Sequence, residues 1–302
     1  MSTGAEHDMP IERIVAATDF SQASALALQR AARLAAAHGA VLHVATVLPS
    51  GWLGQVRAWF AGAEVQADAE TIGRRLAEFA EALRRDGRPA VRTHVLEGDA
   101  RDEIAALAQR LQAHLLVVGA HGRSLVGETI LGSTALALLE RCDVPILVVR
   151  SDAVQDYQRA LVGVEFGAAS AQAVRFAAGL CPRADLSLLH TYEDPFAAEL
   201  FLGQASPDAE SYYRGRAREQ AKRSLDGFVG ELGELASRCH PLLAYGPPGL
   251  LLAHEAQHQH ADLVVLGSRR KGRLEAALLG SVASNVAQMV AADVLLVREA
   301  GE

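Results

Sequence analysis

The chain alternates short apolar runs with longer segments in which apolar residues recur at helical spacing. In its first half the apolar runs are 14–18, 41–47, 91–96, 115–119 and 146–149. Between the second and third runs, one face of a predicted helix is kept apolar by Ile72, Leu76, Phe79, Ala80 and Leu83. Strands that alternate with helices in this way predict an α/β fold, with parallel strands and helices on both faces of the sheet.

The second half of the chain repeats this plan. Its apolar runs are 160–164, 186–190, 241–245, 263–266 and 294–297. Landmarks recur 146 to 148 positions later, and the matched pairs are Asp19 with Glu165, His43 with His190, Gly98 with Gly246, Gly119 with Gly267, and Gly132 with Gly280. A period this long indicates a duplicated domain. We predict one domain over residues 1–152 (repeat 1) and a second over 153–302 (repeat 2).

The composition excludes several classes of protein. The 302 residues carry a net charge of -7, so no global basic field would recruit nucleic acid or an anionic membrane. The three cysteines form no CxxC pair, which fits a reducing cytoplasm and argues against a disulfide framework or a structural zinc site. The first residues lack the pattern of a secretory signal, and no apolar run approaches the ~18 residues of a membrane span. We expect a cytoplasmic protein that binds neither nucleic acid nor membrane.

The glycines that follow the fourth apolar run have a spacing that suits a nucleotide phosphate chain. Gly119 ends the run, Gly122 lies three positions later, and the pair Gly132 and Ser133 opens the next helical segment. Gly119 is expected to let a ligand approach the strand end without a Cβ in the way, and Gly122 allows a turn with positive φ. Free N–H groups at a helix start favour an anion.

These glycines, together with IVAATDFS at 14–21, LHV at 42–44 and VPILVVR at 144–150, resemble the universal stress protein family. The two halves together resemble its tandem members, and the resemblance covers nearly the whole chain. It implies two tandem doubly wound five-stranded parallel sheets of strand order 3-2-1-4-5, the adenine-nucleotide alpha-hydrolase-like fold. In such sheets ligands bind at the carboxyl ends of the strands, at the switch point between strands 1 and 4.

The resemblance also implies that repeat 1 binds ATP, with or without Mg²⁺. Asp19 would contact the ribose or position the metal, while Thr18 and Val44 would flank the adenine, Val44 through its backbone. The phosphates would be held by Gly119, Gly122, Gly132, Ser133 and Thr134. The hydroxyl groups in that set can donate to phosphate oxygens. Arg123 either adds charge-assisted contacts or lies in solvent, and His121 is expected to be solvated.

Repeat 2 departs from this pattern. The position that matches Gly122 is Arg270, whose side chain would strain the turn and compete for the phosphate space. Glu165 replaces Asp19, and the rest of the degenerate site comprises Gly267, Gly280 and Ser281. The basic residues at 269–273 either hold an anion or lie in solvent. We therefore predict one nucleotide per chain, in repeat 1.

A second motif lies in repeat 2, where residues 254–258 read HEAQH and match the H-E-x-x-H pattern of zinc proteases. His254 and His258 would share one face of a helix, which makes them weak candidates for metal ligands. No third ligand follows at a familiar spacing, so we expect no protease.

Three functions remain open. The first is a regulatory ATP-binding module of the cytoplasmic stress response, in which repeat 2 is the packing partner. The resemblance implies an intramolecular pseudo-dimer of the two repeats through the strands at 146–149 and 294–297, and leaves a further homodimer open. No nucleophile–base pair stands out, so hydrolysis is expected to be slow at most. The alternatives are a slow ATPase or adenine-nucleotide hydrolase, and a nucleotide-free stress scaffold that binds a protein or an apolar ligand.

Overall fold

The structure is a computed structural model that describes residues 10–50, 71, 73–78, 80–82, 89–121, 131–151, 155–193, 207–269 and 281–299. The chain divides into two compact units, with the break between Asp156 and Tyr157, and these units hold repeats 1 and 2. The predicted boundary between residues 152 and 153 lies outside the described residues. In the ranges above, no helix is long and apolar enough to cross a membrane.

Repeat 1 contains a five-stranded parallel sheet of order β3-β2-β1-β4-β5. Its strands are β1 (Arg13–Ala17), β2 (Val41–Leu48), β3 (Val91–Glu97), β4 (Leu115–Gly119) and β5 (Ile146–Val149). Its helices are α1 (Gln22–His38), α2 (Ala100–Arg110) and α3 (Ser133–Arg141), and residues 73–78 and 80–82 are also helical. The predicted strand order is confirmed, and it opens a crevice between the carboxyl ends of β1 and β4.

Repeat 2 has the same order, which reads β8-β7-β6-β9-β10. Its strands are β6 (Arg159–Gly163), β7 (Asp185–Tyr192), β8 (Cys239–Tyr245), β9 (Leu263–Ser268) and β10 (Asp293–Arg298). Its helices are α4 (Ala168–Leu180), α5 (Pro207–Glu231), α6 (Pro248–His258) and α7 (Ser281–Met289), and a 3₁₀ helix spans Gly233–Arg238. The corresponding crevice lies between β6 and β9.

Short polar residues and glycine fix the ends of the helices. Ser21 caps α1, because its side chain accepts a hydrogen bond from the Ser24 N–H, and α1 ends at Gly39 in the left-handed conformation with φ 65°. Asp99 caps α2 in the same way, and the first turn of α2 is acidic. That acidic turn balances the positive end of the α2 dipole within the chain itself.

The strand registers show which positions of the two repeats correspond. Val15, the third residue of β1, pairs with His43, and Leu161, the third residue of β6, pairs with Ser187. His43 therefore corresponds to Ser187, and the predicted match of His43 with His190 is wrong. The physical reason is helix length, since α4 has 13 residues where α1 has 17.

Candidate functional site

The turn after β1 forms one wall of the repeat 1 crevice. The Thr18 hydroxyl accepts a hydrogen bond from the Phe20 N–H at 3.0 Å and lies 3.0 Å from the Ser24 hydroxyl. A carboxylate oxygen of Asp19 accepts from the Ser21 N–H, also at 3.0 Å. Phe20 has a φ of 63°, which bulky residues rarely adopt. These side chains therefore hold a strained turn in place, with Asp19 half-buried at its edge.

The structure does not support an adenine contact for Val44 or Thr18. Val44 is fully buried in the middle of β2, in register with Ala16 of β1 and Thr93 of β3. Strands on both sides enclose its backbone, so we remove Val44 from the predicted site. Thr18 is only 6% exposed, and its hydroxyl bonds within the turn described above. Its role is to shape the wall of the crevice.

Glycine is required at position 119, at the end of β4, by the close packing of α1 against this strand. A Cβ at this position would lie 2.7 Å from the carbonyl carbon of Ala23 and 2.8 Å from its oxygen, in the first turn of α1. The group that approaches Gly119 closely is therefore helix α1 and not the predicted ligand. Gly267 has the same surroundings, 2.5 Å from the Ala169 oxygen. Its presence in repeat 2 accordingly carries no information about nucleotide binding.

The amino end of α3 forms the second wall. The Gly132 N–H donates to the Ala120 oxygen at 2.7 Å, which brings this end beside the carboxyl end of β4. Gly132 is the N-cap residue and has no side chain to cap the helix, and the first turn has no acidic residue. Ser133 is exposed and Thr134 half-buried. Unlike α2, this helix start has no anion of its own, and its N–H groups suit a bound one.

His121 follows Ala120 and so lies next to this helix start. Its Nε2 atom is buried and has no hydrogen-bond partner within the described residues. The expectation that His121 is solvated is wrong for this atom. A buried ring nitrogen without a partner is uncommon. In the tautomer that carries its hydrogen on Nε2, this nitrogen donates a hydrogen bond. A phosphate oxygen is a suitable acceptor.

Other predicted residues lie outside the described part of the chain. These are Gly122, Arg123, Arg270 and Gly280, together with the side chain of Ser281.

The repeat 2 crevice lacks three hydroxyl groups that repeat 1 has. By the observed registers, Thr18, Ser21 and Thr134 correspond to Val164, Gly167 and Val282. The predicted replacement of Asp19 is Glu165, whose N–H donates to the Ser170 hydroxyl at 2.9 Å. The loss at Val282 could have been found from the sequence by carrying the 148-residue offset two positions beyond Gly280.

The two histidines of the H-E-x-x-H segment lie on α6, as predicted. The rings of His254 and His258 are parallel within 6°, with centroids 6.3 Å apart, and both residues are exposed. A carboxylate oxygen of Glu255 lies 3.6 Å from Nδ1 of His258. Among the residues that the structure describes, no group of three or more metal-binding side chains occurs. The pair therefore has no third described ligand.

The fold and the crevice define a class of protein, a tandem α/β protein whose repeats each have a crevice at the switch point of a parallel sheet. The chain belongs to the Universal stress protein family, whose family model matches residues 10–150 and 156–298.

Individual relatives agree with this membership. A universal stress protein of Mycolicibacterium smegmatis is 28% identical over 298 residues, which covers 94% of this chain and 96% of the relative. One of Mycobacterium tuberculosis strain H37Rv is 28% identical over 225 residues, 72% of each chain. The crystal structure of a universal stress protein from Archaeoglobus fulgidus aligns with a TM-score of 0.68 at 20% identity, over 95% of this chain and 98% of the other. That structural likeness shows the fold alone.

Proposed function

We propose that repeat 1 binds one ATP per chain and that the protein is a regulatory module of the cytoplasmic stress response. The observation that carries the proposal is an uncapped helix start whose N-cap N–H bonds to the residue just before His121, a histidine whose buried Nε2 has no partner among the described residues. The amino end of α3 bears the Ser133 and Thr134 hydroxyls, and the Gly132 N–H joins it to the Ala120 oxygen, one residue before His121. N–H groups, hydroxyls and an imidazole nitrogen together form a donor set that fits phosphate oxygens.

The opposite wall suits the ribose. Asp19 is half-buried, and a carboxylate accepts hydrogen bonds from ribose hydroxyls. The same carboxylate fits Mg²⁺, because Mg²⁺ in nucleotide sites takes one or two carboxylates and obtains its other ligands from phosphates and water. When bound, the ion would neutralise phosphate charge that the acidic chain leaves uncompensated. The predicted pseudo-dimer through 146–149 and 294–297 is part of this proposal.

We expect wild-type protein to bind one ATP per chain and Thr134→Val to bind it about 10-fold more weakly. The substitution places the repeat 2 residue, Val282, in repeat 1 and removes one hydroxyl donor to a charged acceptor, worth about 1.5 kcal/mol. Calorimetric titration with ATP, ADP, AMP and cAMP gives the affinity, the stoichiometry and the preferred ligand. A thermal melt of each variant confirms that it is folded.

The matched control is Ser281→Ala in repeat 2, which should leave ATP affinity unchanged. Equal affinity of wild type and Thr134→Val would remove α3 from the site. Absence of binding to the wild type would favour the nucleotide-free scaffold. Phosphate release above background that is lost in Asp19→Ala would favour the slow hydrolase.

A further inference from the structure

We propose that Arg269 and Gly167 form a built-in closure of the repeat 2 crevice. The guanidinium of Arg269 covers the amino end of α4, on the wall that corresponds to the Asp19 wall of repeat 1, and this restricts the nucleotide to repeat 1. The inference rests on the proposed function of repeat 1. It adds a specificity-determining residue that the glycine motif does not contain.

The first step is that the two crevices share one backbone framework. The Cβ that Gly119 lacks would lie 2.7 Å from the Ala23 carbonyl carbon, and the one that Gly267 lacks would lie 2.7 Å from that of Ala169. Phe20 and its counterpart Phe166 have φ values of 63° and 62°. Because helix, strand and strained turn agree this closely, any difference in ligand binding at these walls must come from side chains.

The second step is the location of Arg269. It corresponds to His121, since it lies two residues beyond Gly267 as His121 lies two residues beyond Gly119. One terminal nitrogen of its guanidinium lies 2.7 Å from the point that a Cβ on Gly167 would occupy, and the central carbon lies 3.5 Å from that point. Gly167 is the N-cap residue of α4, where it makes no side-chain cap. The guanidinium therefore covers the helix start that borders the crevice.

The third step is that two differences between the repeats complement each other. In repeat 1 the N-cap position holds Ser21, whose side chain caps α1, and the loop position holds His121. In repeat 2 the N-cap has no side chain, and the loop position holds the long Arg269. A serine at 167 would displace the guanidinium, since its Cβ would lie 2.7 Å from a terminal nitrogen at the far end of the exposed Arg269 side chain. The glycine thus makes the space that the arginine fills.

The closure is open to test because Arg269 is exposed rather than part of the core. Its replacement leaves no buried cavity, so variants should fold. Two variants separate Arg269 from the loop position 270. The first carries Arg270→Gly and Val282→Thr, which restore the glycine and the hydroxyl of repeat 1 and keep Arg269. The second adds Arg269→His.

Calorimetric titration with ATP should give one nucleotide per chain for the first variant and two for the second. Two nucleotides in the first variant would mean that positions 270 and 282 exclude the ligand without any contribution from Arg269, and the proposal would be overturned. One nucleotide in the second variant would overturn it as well. If Arg269 itself held phosphate, wild type would bind two ATP and Arg269→His would lose one, which is the opposite result.

A ligand-free measurement keeps this test separate from the proposed function. Gly167→Ser should raise the melting temperature less in wild type than in the Arg269→His background, since in wild type the serine must displace the guanidinium. In the Arg269→His background the same substitution should give its full gain, because serine is a better N-cap than glycine. Equal shifts in both backgrounds would show that Arg269 does not cover Gly167. Loss of ATP binding to wild type with this coupling intact would instead contradict only the proposed function.

Discussion

Replacing Gly119 with alanine is expected to destabilise repeat 1 by about 3 kcal/mol, the upper part of the range for overpacked cores. The new Cβ would lie 2.7 and 2.8 Å from the carbonyl atoms of Ala23 and 3.0 Å from the Ser24 nitrogen. All three are backbone atoms of α1, so no side-chain rotation relieves the contact. Urea denaturation, followed by circular dichroism with and without ATP, measures the loss.

Two substitutions serve as controls for this result. Gly267→Ala should destabilise repeat 2 similarly, because its Cβ would meet Ala169 and Ser170 at 2.5 to 3.0 Å. Gly227→Ala in α5 should stabilise the protein by roughly 0.5–1 kcal/mol, since no atom beyond its chain neighbours and the local helix backbone lies within 4 Å of the added Cβ and alanine is the better helix former. If Gly119→Ala kept its stability and lost only ATP affinity, the ligand explanation of this glycine would be right after all.

Gly119 also shows what the motif can and cannot predict. The sequence places glycines where something approaches a strand end closely, but it does not say whether a helix or a ligand approaches. In both repeats the approaching group is the first turn of a helix. This glycine is therefore a requirement of the fold and does not indicate a ligand site. Among the positions that differ between the repeats are Thr134, replaced by Val282, and His121, replaced by Arg269. Those positions distinguish the two crevices better than the shared glycine does.

The strands could be predicted closely, because a buried parallel strand is simply a run of apolar residues. β4 and β5 have the predicted bounds, and the other strands differ by a few residues at their ends. The correspondence between the second strands could not be predicted, since α4 is four residues shorter than α1. A chance histidine at 190 supplied a false match for His43.

The crevice was predictable only in outline. Strand order fixes its place, yet the role of each side chain depends on direction and burial. Val44 lies close in sequence to the predicted site but is enclosed by β1 and β3. The Thr18 hydroxyl bonds to its own turn, which no periodicity shows. The position of Arg269 over Gly167 requires two loops to be seen together.

Lowering the pH from 7 to 4 is expected to cost repeat 1 about 3 kcal/mol through the buried imidazole of His43 and its partner His94. Nδ1 of His43 lies 2.9 Å from Nε2 of His94, and His43 is only 3% exposed. Burial, followed by the charges of His94, Arg92 and Arg13, lowers the pKa of His43 from 6.5 to about 4. Burial also lowers the pKa of His94. If both rings were protonated, each nitrogen would be a donor and the hydrogen bond would be lost.

The sign of this dependence follows from where the protons bind. A pKa that is lower in the folded state means that the unfolded chain binds more protons between pH 6.5 and about 4, so stability is complete above pH 6.5 and falls with decreasing pH. The double variant His43→Ser with His94→Leu carries the corresponding repeat 2 residues and should lose this component of the pH dependence. Urea denaturation of wild type and variant at pH 7, 6, 5 and 4 gives the free energy of unfolding of each protein. The difference between the two proteins isolates the histidine component, because the carboxylates common to both contribute equally and cancel.

The single variant His94→Leu tests the cause as well as the effect. Burial is the largest contribution at His43, so this variant should keep most of the wild-type dependence. Loss of the whole dependence in His94→Leu would show that repulsion between the two rings, rather than burial, sets the pKa of His43. An unchanged dependence in the double variant would mean that other groups control acid unfolding. Because the pair lies on β2 and β3, away from the crevice between β1 and β4, ATP affinity at pH 7 should be the same in all three proteins.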